Sequence, residues 1–242
     1  MTEVQALALN VSHPQLHLAL EFRRDPTLAE YLSGPNAEAV AAVSAMARGE
    51  GEPYLFLFGI RGTGKTHLSQ AACLTTAQRG RQAHFVPLGM TGLEPSVFDD
   101  LERLDLVAVD DAQCVAGDLV WESALFDLFN RLREQGRRLI VAANAAPDIL
   151  PIKLPDLASR LLWGPRYCLM PLSDRDSEQL LIESAHRRGM RLGSDLVRYI
   201  MNYHARDPAS LLDLIARLDS LSLREQRQPT IPLVRRAMRE TS

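Results

Sequence analysis

Tyr54-Leu55-Phe56-Leu57-Phe58-Gly59-Ile60-Arg61-Gly62-Thr63-Gly64-Lys65-Thr66 is the stretch on which the fold turns. Its first five residues read as a buried strand. Gly59 to Thr66 form a complete G-x-x-x-x-G-K-[ST] loop, and a helical pattern follows over residues 67–78, closed by Gly80. Strand, glycine loop and helix in that order aim successive backbone N–H groups and the positive end of a helix dipole at a phosphate chain. Gly59, Gly62, Thr63 and Gly64 then form the cradle, with Arg61 and His67 flanking it as further binding residues. Lys65 reaches the β and γ phosphates, and the Thr66 hydroxyl ligates Mg2+. The cofactor implied is ADP or ATP with Mg2+.

The chain has 242 residues, enough for one domain of ordinary size and a small second one. With 46% hydrophobic and 24% charged residues it can bury a substantial core. No apolar run approaches the ~20 residues of a membrane helix, and the N-terminus lacks the basic start and apolar centre of a signal peptide, so a cytoplasmic protein is expected. Cys73, Cys114 and Cys168 are far apart in sequence, without metal-ligand spacing, and are expected to be buried, reduced thiols. A net charge of −3 argues against a protein that holds DNA mainly by counterion release. The Arg-rich stretch with Arg224, Arg227, Arg235, Arg236 and Arg239 is a candidate basic face, and such a run is more often the solvated side of a helix.

Residues 1–25 carry no long helical period and read as an extended arm. A helical pattern with a break at Gly34-Pro35 runs to Ala47. Beyond it, short apolar runs alternate with longer helical ones. The strand candidates are 54–58, 83–87, 106–109, 139–142 and 167–170. Between the third and fourth, Trp121, Leu125, Leu128 and Leu132 share one helix face and Gly136 supplies the stop. Such alternation predicts a five-stranded parallel sheet flanked by helices, over residues 26–171. After Pro171 strand signals vanish. Ser173, Ser194, Asp207 and Thr230 are candidate N-caps for four helices, which predicts a small helical domain over 172–242.

The 106–109 run ends in Asp110-Asp111, two carboxylates at the carboxyl edge of the sheet. There Asp110 would bind Mg2+ through water, and Asp111 would orient or deprotonate an attacking water. The next strand ends in Asn144, whose amide would lie between these elements, within reach of the γ-phosphate or the water.

With these residues in place the chain resembles the AAA+ ATPases and, among them, the Hda family of regulatory inactivators of the bacterial replication initiator DnaA. Tyr31-Leu32-Ser33-Gly34-Pro35-Asn36 resembles the segment beside the adenine. Asp110-Asp111-Ala112-Gln113 resembles the family's second motif, with Asp where most AAA+ proteins have Glu. Residues 121–130 and 154–161 resemble Hda segments closely, and the latter implies that Arg160 is an arginine finger directed at a neighbour's γ-phosphate. Fingers of this kind are worth roughly 10³ to 10⁵ in rate. Arg206 resembles the lid arginine that contacts the nucleotide in cis.

Gln15-Leu16-His17-Leu18-Ala19-Leu20 resembles the peptide by which Hda binds the DNA polymerase III sliding clamp, its beta subunit. Gln15, Leu16, Leu18 and Leu20 would make the contacts. Ala19 replaces the usual Pro, which removes some preorganisation. The chain also stops without the helix-turn-helix domain that ends DnaA, so contact with DNA is expected to be indirect or weak. The resemblance implies a regulator that stimulates hydrolysis of ATP bound to DnaA and prevents re-initiation. An autonomous ATPase of the helicase-loader or transposition-helper type is the alternative, as is an interaction protein with ADP as a structural cofactor. The nucleotide preferred and self-association stay open.

Overall fold

A computed structural model describes residues 27–28 and 31–239. The clamp-binding peptide expected at residues 15–20 lies outside them. Five parallel strands form one sheet in the order β2-β3-β4-β1-β5, with β1 Tyr54–Phe58, β2 Ala83–Pro87, β3 Leu106–Asp110, β4 Arg138–Ala143 and β5 Arg166–Cys168. The strands read as unbroken apolar runs because both sheet faces are covered. Alternation along β1 sorts its side chains between two cores. Leu55 and Leu57 meet Val43 and Met46 of α1 (Ala37–Ala47) and Leu68 and Ala72 of α2 (Lys65–Gln78). Tyr54 and Phe56 face the other side, with Leu125, Leu128 and Leu132 of α3 (Leu119–Glu134) and Leu157 and Leu161 of α4 (Pro155–Leu161).

β3 runs one residue past the expected 106–109, β4 one residue past each end of 139–142, and β5 starts one residue early, while two further departures have a local cause. The fifth strand ends at Cys168 and does not reach Met170. Leu169 still donates to the Phe58 carbonyl at 2.6 Å, but the Met170 amide turns away to the Asn36 side chain at 2.8 Å. α2 begins at Lys65, two residues earlier than the periodicity implies, because the glycine loop runs directly into the helix.

α5 Asp174–Arg187, α6 Ser194–Tyr203, α7 Pro208–Glu225 and α8 Ile231–Arg239 pack on an apolar core of their own, centred on Leu181, Ile200, Leu214, Leu218 and Val234. Ser173 and Asp176 form a capping box at the start of α5, and Asp207 caps α7 through the Ser210 amide. At α6 the expectation fails: Gly193 precedes the helix, Ser194 is already its first residue, and no side chain caps it. The basic stretch is largely engaged within this unit. Arg227 and Arg236 both pair with Glu225, and Arg235 lies over the Tyr199 ring and donates to its hydroxyl at 3.0 Å. No described helix is long and apolar enough to cross a membrane.

The cysteines need a correction. Cys73 is buried, and burial pushes its thiol up to about 12, but Cys114 and Cys168 are exposed. Cys114 sits on the tight turn after Asp111 and Cys168 on the edge strand, where apolar sequence neighbours do not imply enclosure.

Candidate functional site

The phosphate loop leaves the carboxyl end of β1 and enters α2, so its amides gather at that helix's N-terminus. Lys65 Nζ donates to the carbonyls of Gly59 at 2.7 Å and Ile60 at 3.0 Å. Burial lowers the pKa of this ammonium, while Asp110 and Asp111 act in the opposite sense. Gly64 and Gly62 are required by close neighbours. With φ +90, a Cβ on Gly64 would lie 2.5 Å from the Tyr31 ring, and one on Gly62, at φ +85, would lie 3.1 Å from Asp207 Cβ.

The acidic pair splits into two environments. Asp110, 1% exposed, accepts the Thr66 hydroxyl on Oδ2 at 2.5 Å, and its buried Oδ1 has no hydrogen-bond partner. Burial raises its pKa, the Thr66 bond opposes that shift, and Asp111 adds to it. Asp111 has left-handed backbone, φ +56, which turns its carboxylate away from the strand direction. Gln113 Nε2 donates to Asp111 Oδ1 at 2.8 Å, and Gln113 Oε1 accepts from the backbone N–H of Asn144 at 2.9 Å. One side chain thus bridges the ends of β3 and β4.

On the other side of the loop, the Tyr31 hydroxyl donates to the Thr63 carbonyl at 2.9 Å and accepts from Asn36 Nδ2 at 3.1 Å. Burial pushes its pKa up to about 12. The Tyr31 and His67 rings are 5.7 Å apart, and His67 Nε2 lies 3.0 Å from the Thr27 carbonyl. Together with the start of α7, these groups enclose a cleft of about 900 Å³, large enough for a nucleotide.

Of the residues singled out in the sequence, Tyr31, Leu32, Arg61, Gly62, Thr63, Gly64, Lys65, Thr66, His67, Asp111 and Asn144 line this cleft. Gly59 and Asp110 lie behind it, through Lys65 and Thr66 respectively. Arg206 does not line it. Its guanidinium pairs with Asp174, and its Nε donates to the Met201 carbonyl at 2.8 Å. Arg160 is elsewhere, on α4, with its guanidinium carbon 5.5 Å from the centroid of Trp163 and 5.9 Å from that of Phe126. Trp163 is 47% exposed, and Arg160 makes no ion pair within 4 Å among the described residues. The sequence reading quoted Gln113 within the second motif without giving it a contact, and took Asp207 as a helix cap without placing it, Pro208 and Ser210 on the cleft wall. Gln113 had a signal in its place two residues after the acidic pair. The lid wall had one in the resemblance around Arg206, but the side chains of that segment that line the cleft are its neighbours and not Arg206 itself.

Arranged this way, the loop can receive a polyphosphate, and the orphaned Asp110 oxygen beside Thr66 fits a hydrated divalent cation. Among the described residues no cluster of three or more His, Cys, Asp or Glu could hold a metal by itself, so such an ion would be shared with phosphates.

Residues 174–238 match the family described as Hda, lid domain. The fold is similar to that of domain III of the Thermotoga maritima replication initiation protein DnaA, with TM-score 0.74 and 19% identity over 89% of this chain and 96% of that one. It is also similar to AMPPCP-bound DnaA from Aquifex aeolicus, with TM-score 0.69 and 22% identity over 89% of this chain and 70% of that one. A third likeness is to the Thermotoga maritima RuvB Holliday junction branch migration motor, with TM-score 0.64 and 17% identity over 89% and 72% of the two chains.

Proposed function

We propose that this chain, whose residues 174–238 match the Hda lid domain and whose fold is similar to that of DnaA domain III, is a regulator of DnaA that acts in trans. It holds ADP or ATP in its own cleft, docks on the DNA polymerase III sliding clamp through residues 15–20, and presents Arg160 to ATP bound by DnaA. Hydrolysis there leaves the ADP form of the initiator and prevents a second initiation. The observation that supports this reading best is the separation of Arg160 from its own cleft. The half-buried Arg160 side chain lies beside the rings of Phe126 and Trp163, the latter 47% exposed, and away from the residues that line the cleft.

The roles within the chain follow from the geometry. Loop amides and Lys65 bind and orient the phosphates, and Lys65 must leave the Gly59 and Ile60 carbonyls to do so. Thr66 and Asp110 would hold Mg2+, which supplies charge neutralisation between the β and γ phosphates when bound. Tyr31 and Leu32 bound the base side, and the start of α7 closes the cleft from the lid. In DnaA, the planar guanidinium of Arg160 would neutralise charge developing on the transferred phosphoryl group.

A second reading, an autonomous ATPase, is favoured by Asp110 and Asp111, both of which stand beside the loop. ATP turnover by the isolated chain separates the two. Trans action expects turnover far below the stimulated rate in DnaA and dependence of that rate on clamp-loaded DNA. Rapid turnover without clamp or DnaA would establish the autonomous enzyme.

A further inference from the structure

Glu122 is the one carboxylate among the described residues that is 0% exposed, and the reaction outlined above does not use it. A carboxylate so placed is costly unless its lone pairs are filled. All its hydrogen bonds come from backbone amides of two separate loops. Gly117 donates to Oε1 at 2.6 Å, Lys153 to Oε1 and Oε2 at 3.1 and 3.0 Å, and Leu154 to Oε2 at 2.7 Å. Gly117 belongs to the loop that descends from Asp111. Lys153 and Leu154 are the last residues before α4, which carries Arg160. The two loops come close at this point, since a Cβ on Gly117 would lie 3.7 Å from the Pro151 carbonyl oxygen.

α4 has only seven residues, and Leu154 before it offers no side-chain cap. A helix so short does not set its own start. Leu157 and Leu161 bury one face against the sheet core, which holds the helix down but leaves its first turn to be placed by another group. Glu122 places it. α3, from which Glu122 projects, is anchored independently by Asp118, whose carboxylate caps Val120 and Trp121 at 2.9 and 3.4 Å. We propose that Glu122 is a positioning residue for Arg160: by joining the loop below Asp111 to the first turn of α4, it sets where the guanidinium is offered to a partner. The proposal rests on the role given to Arg160 above. Glu122 is not among the residues that line the cleft.

The substitution Glu122→Gln tests this, because a carboxamide keeps the volume but turns an NH₂ toward at least one donor. Amide hydrogen exchange is measured on the full chain with ADP present, beside ADP affinity and stimulation of DnaA. The expected result is exchange about tenfold or more faster over residues 152–160, with residues 65–78 within roughly twofold of wild type. ADP affinity stays unchanged while maximal stimulation falls about tenfold or more. In an Arg160→Ala background the same substitution should cause no further fall, since it acts only through that side chain. Unchanged exchange over 152–160, or acceleration of both segments together, overturns the proposal, as do additive losses in the double variant. If Glu122→Gln does not fold, Glu122→Asp, which withdraws the carboxylate by one methylene, is judged by the same limits. Failure of wild type to stimulate DnaA would overturn the proposed function instead, and the exchange pattern would still decide whether Glu122 holds α4.

Discussion

The nucleotide cleft and the α4 face use cationic side chains in opposite ways. In the cleft, Lys65 is folded onto two carbonyls of its own loop, with the buried Asp110 and the half-buried Asp111 near enough to favour its charge. At α4, Arg160 has aromatic rings beside it, and its buried Nε has no hydrogen-bond partner. A buried donor left unmatched costs free energy. The difference is what the proposal expects if the first region serves a ligand of this chain and the second a ligand held by another protein.

Arg160→Ala should break the second region alone. Stimulated hydrolysis in DnaA should fall by roughly 10³ or more, with ADP affinity and melting temperature near wild type. Arg160→Lys should restore little, because a point charge does not reproduce the guanidinium fork. A variant that melts well below wild type would show that the aromatic packing of Arg160 is structural.

Lys65→Ala should break the first region. Wild type at a hundredfold excess of ADP over Kd should gain about 2.7 kcal/mol of stability, and the variant should gain none. Thermal unfolding with and without ADP measures this, and equal shifts would remove Lys65 from the site.

A smaller effect sharpens the contact between cleft and lid. Burial tends to raise the Asp207 pKa, yet its bonds from Ser210 hold it below the ordinary carboxylate value. A carboxyl depressed in the folded state contributes stability above its unfolded pKa and loses that contribution as pH falls through the folded value. Asp207→Ala should therefore cost about 1 kcal/mol at neutral pH, and the deficit should shrink on acidification. Melting curves at several pH values check this, and a deficit that stays constant in acid would assign the loss to packing against Gly62.

Where the chain's physics is local, the sequence reading and the structure mostly agree, the missing cap at Ser194 aside. Central strands buried on both faces are written as uninterrupted apolar runs, so β1 and β2 have the bounds expected from residues 54–58 and 83–87. The N-caps at Ser173 and Asp207 were legible because a cap is set within three or four residues. Partners distant in sequence were not. The end of β5 depends on Asn36, more than a hundred residues earlier, and Arg206 is held by Asp174 across the lid. The approach of Asp207 to Gly62 and the gathering of Gly117, Lys153 and Leu154 around Glu122 are likewise products of packing. Motif spacing does not encode them.

The central claim is that ATP is cleaved in DnaA and not in this chain, and a single-turnover experiment tests it most directly. DnaA is loaded with γ-labelled ATP, free nucleotide is removed, and this protein is added in its ADP form with clamp-loaded DNA. Release of labelled phosphate should accelerate by roughly 10³ over DnaA alone, with this chain still holding unlabelled ADP. An unchanged rate, or release only after the label has passed into this chain's own cleft, would contradict the account.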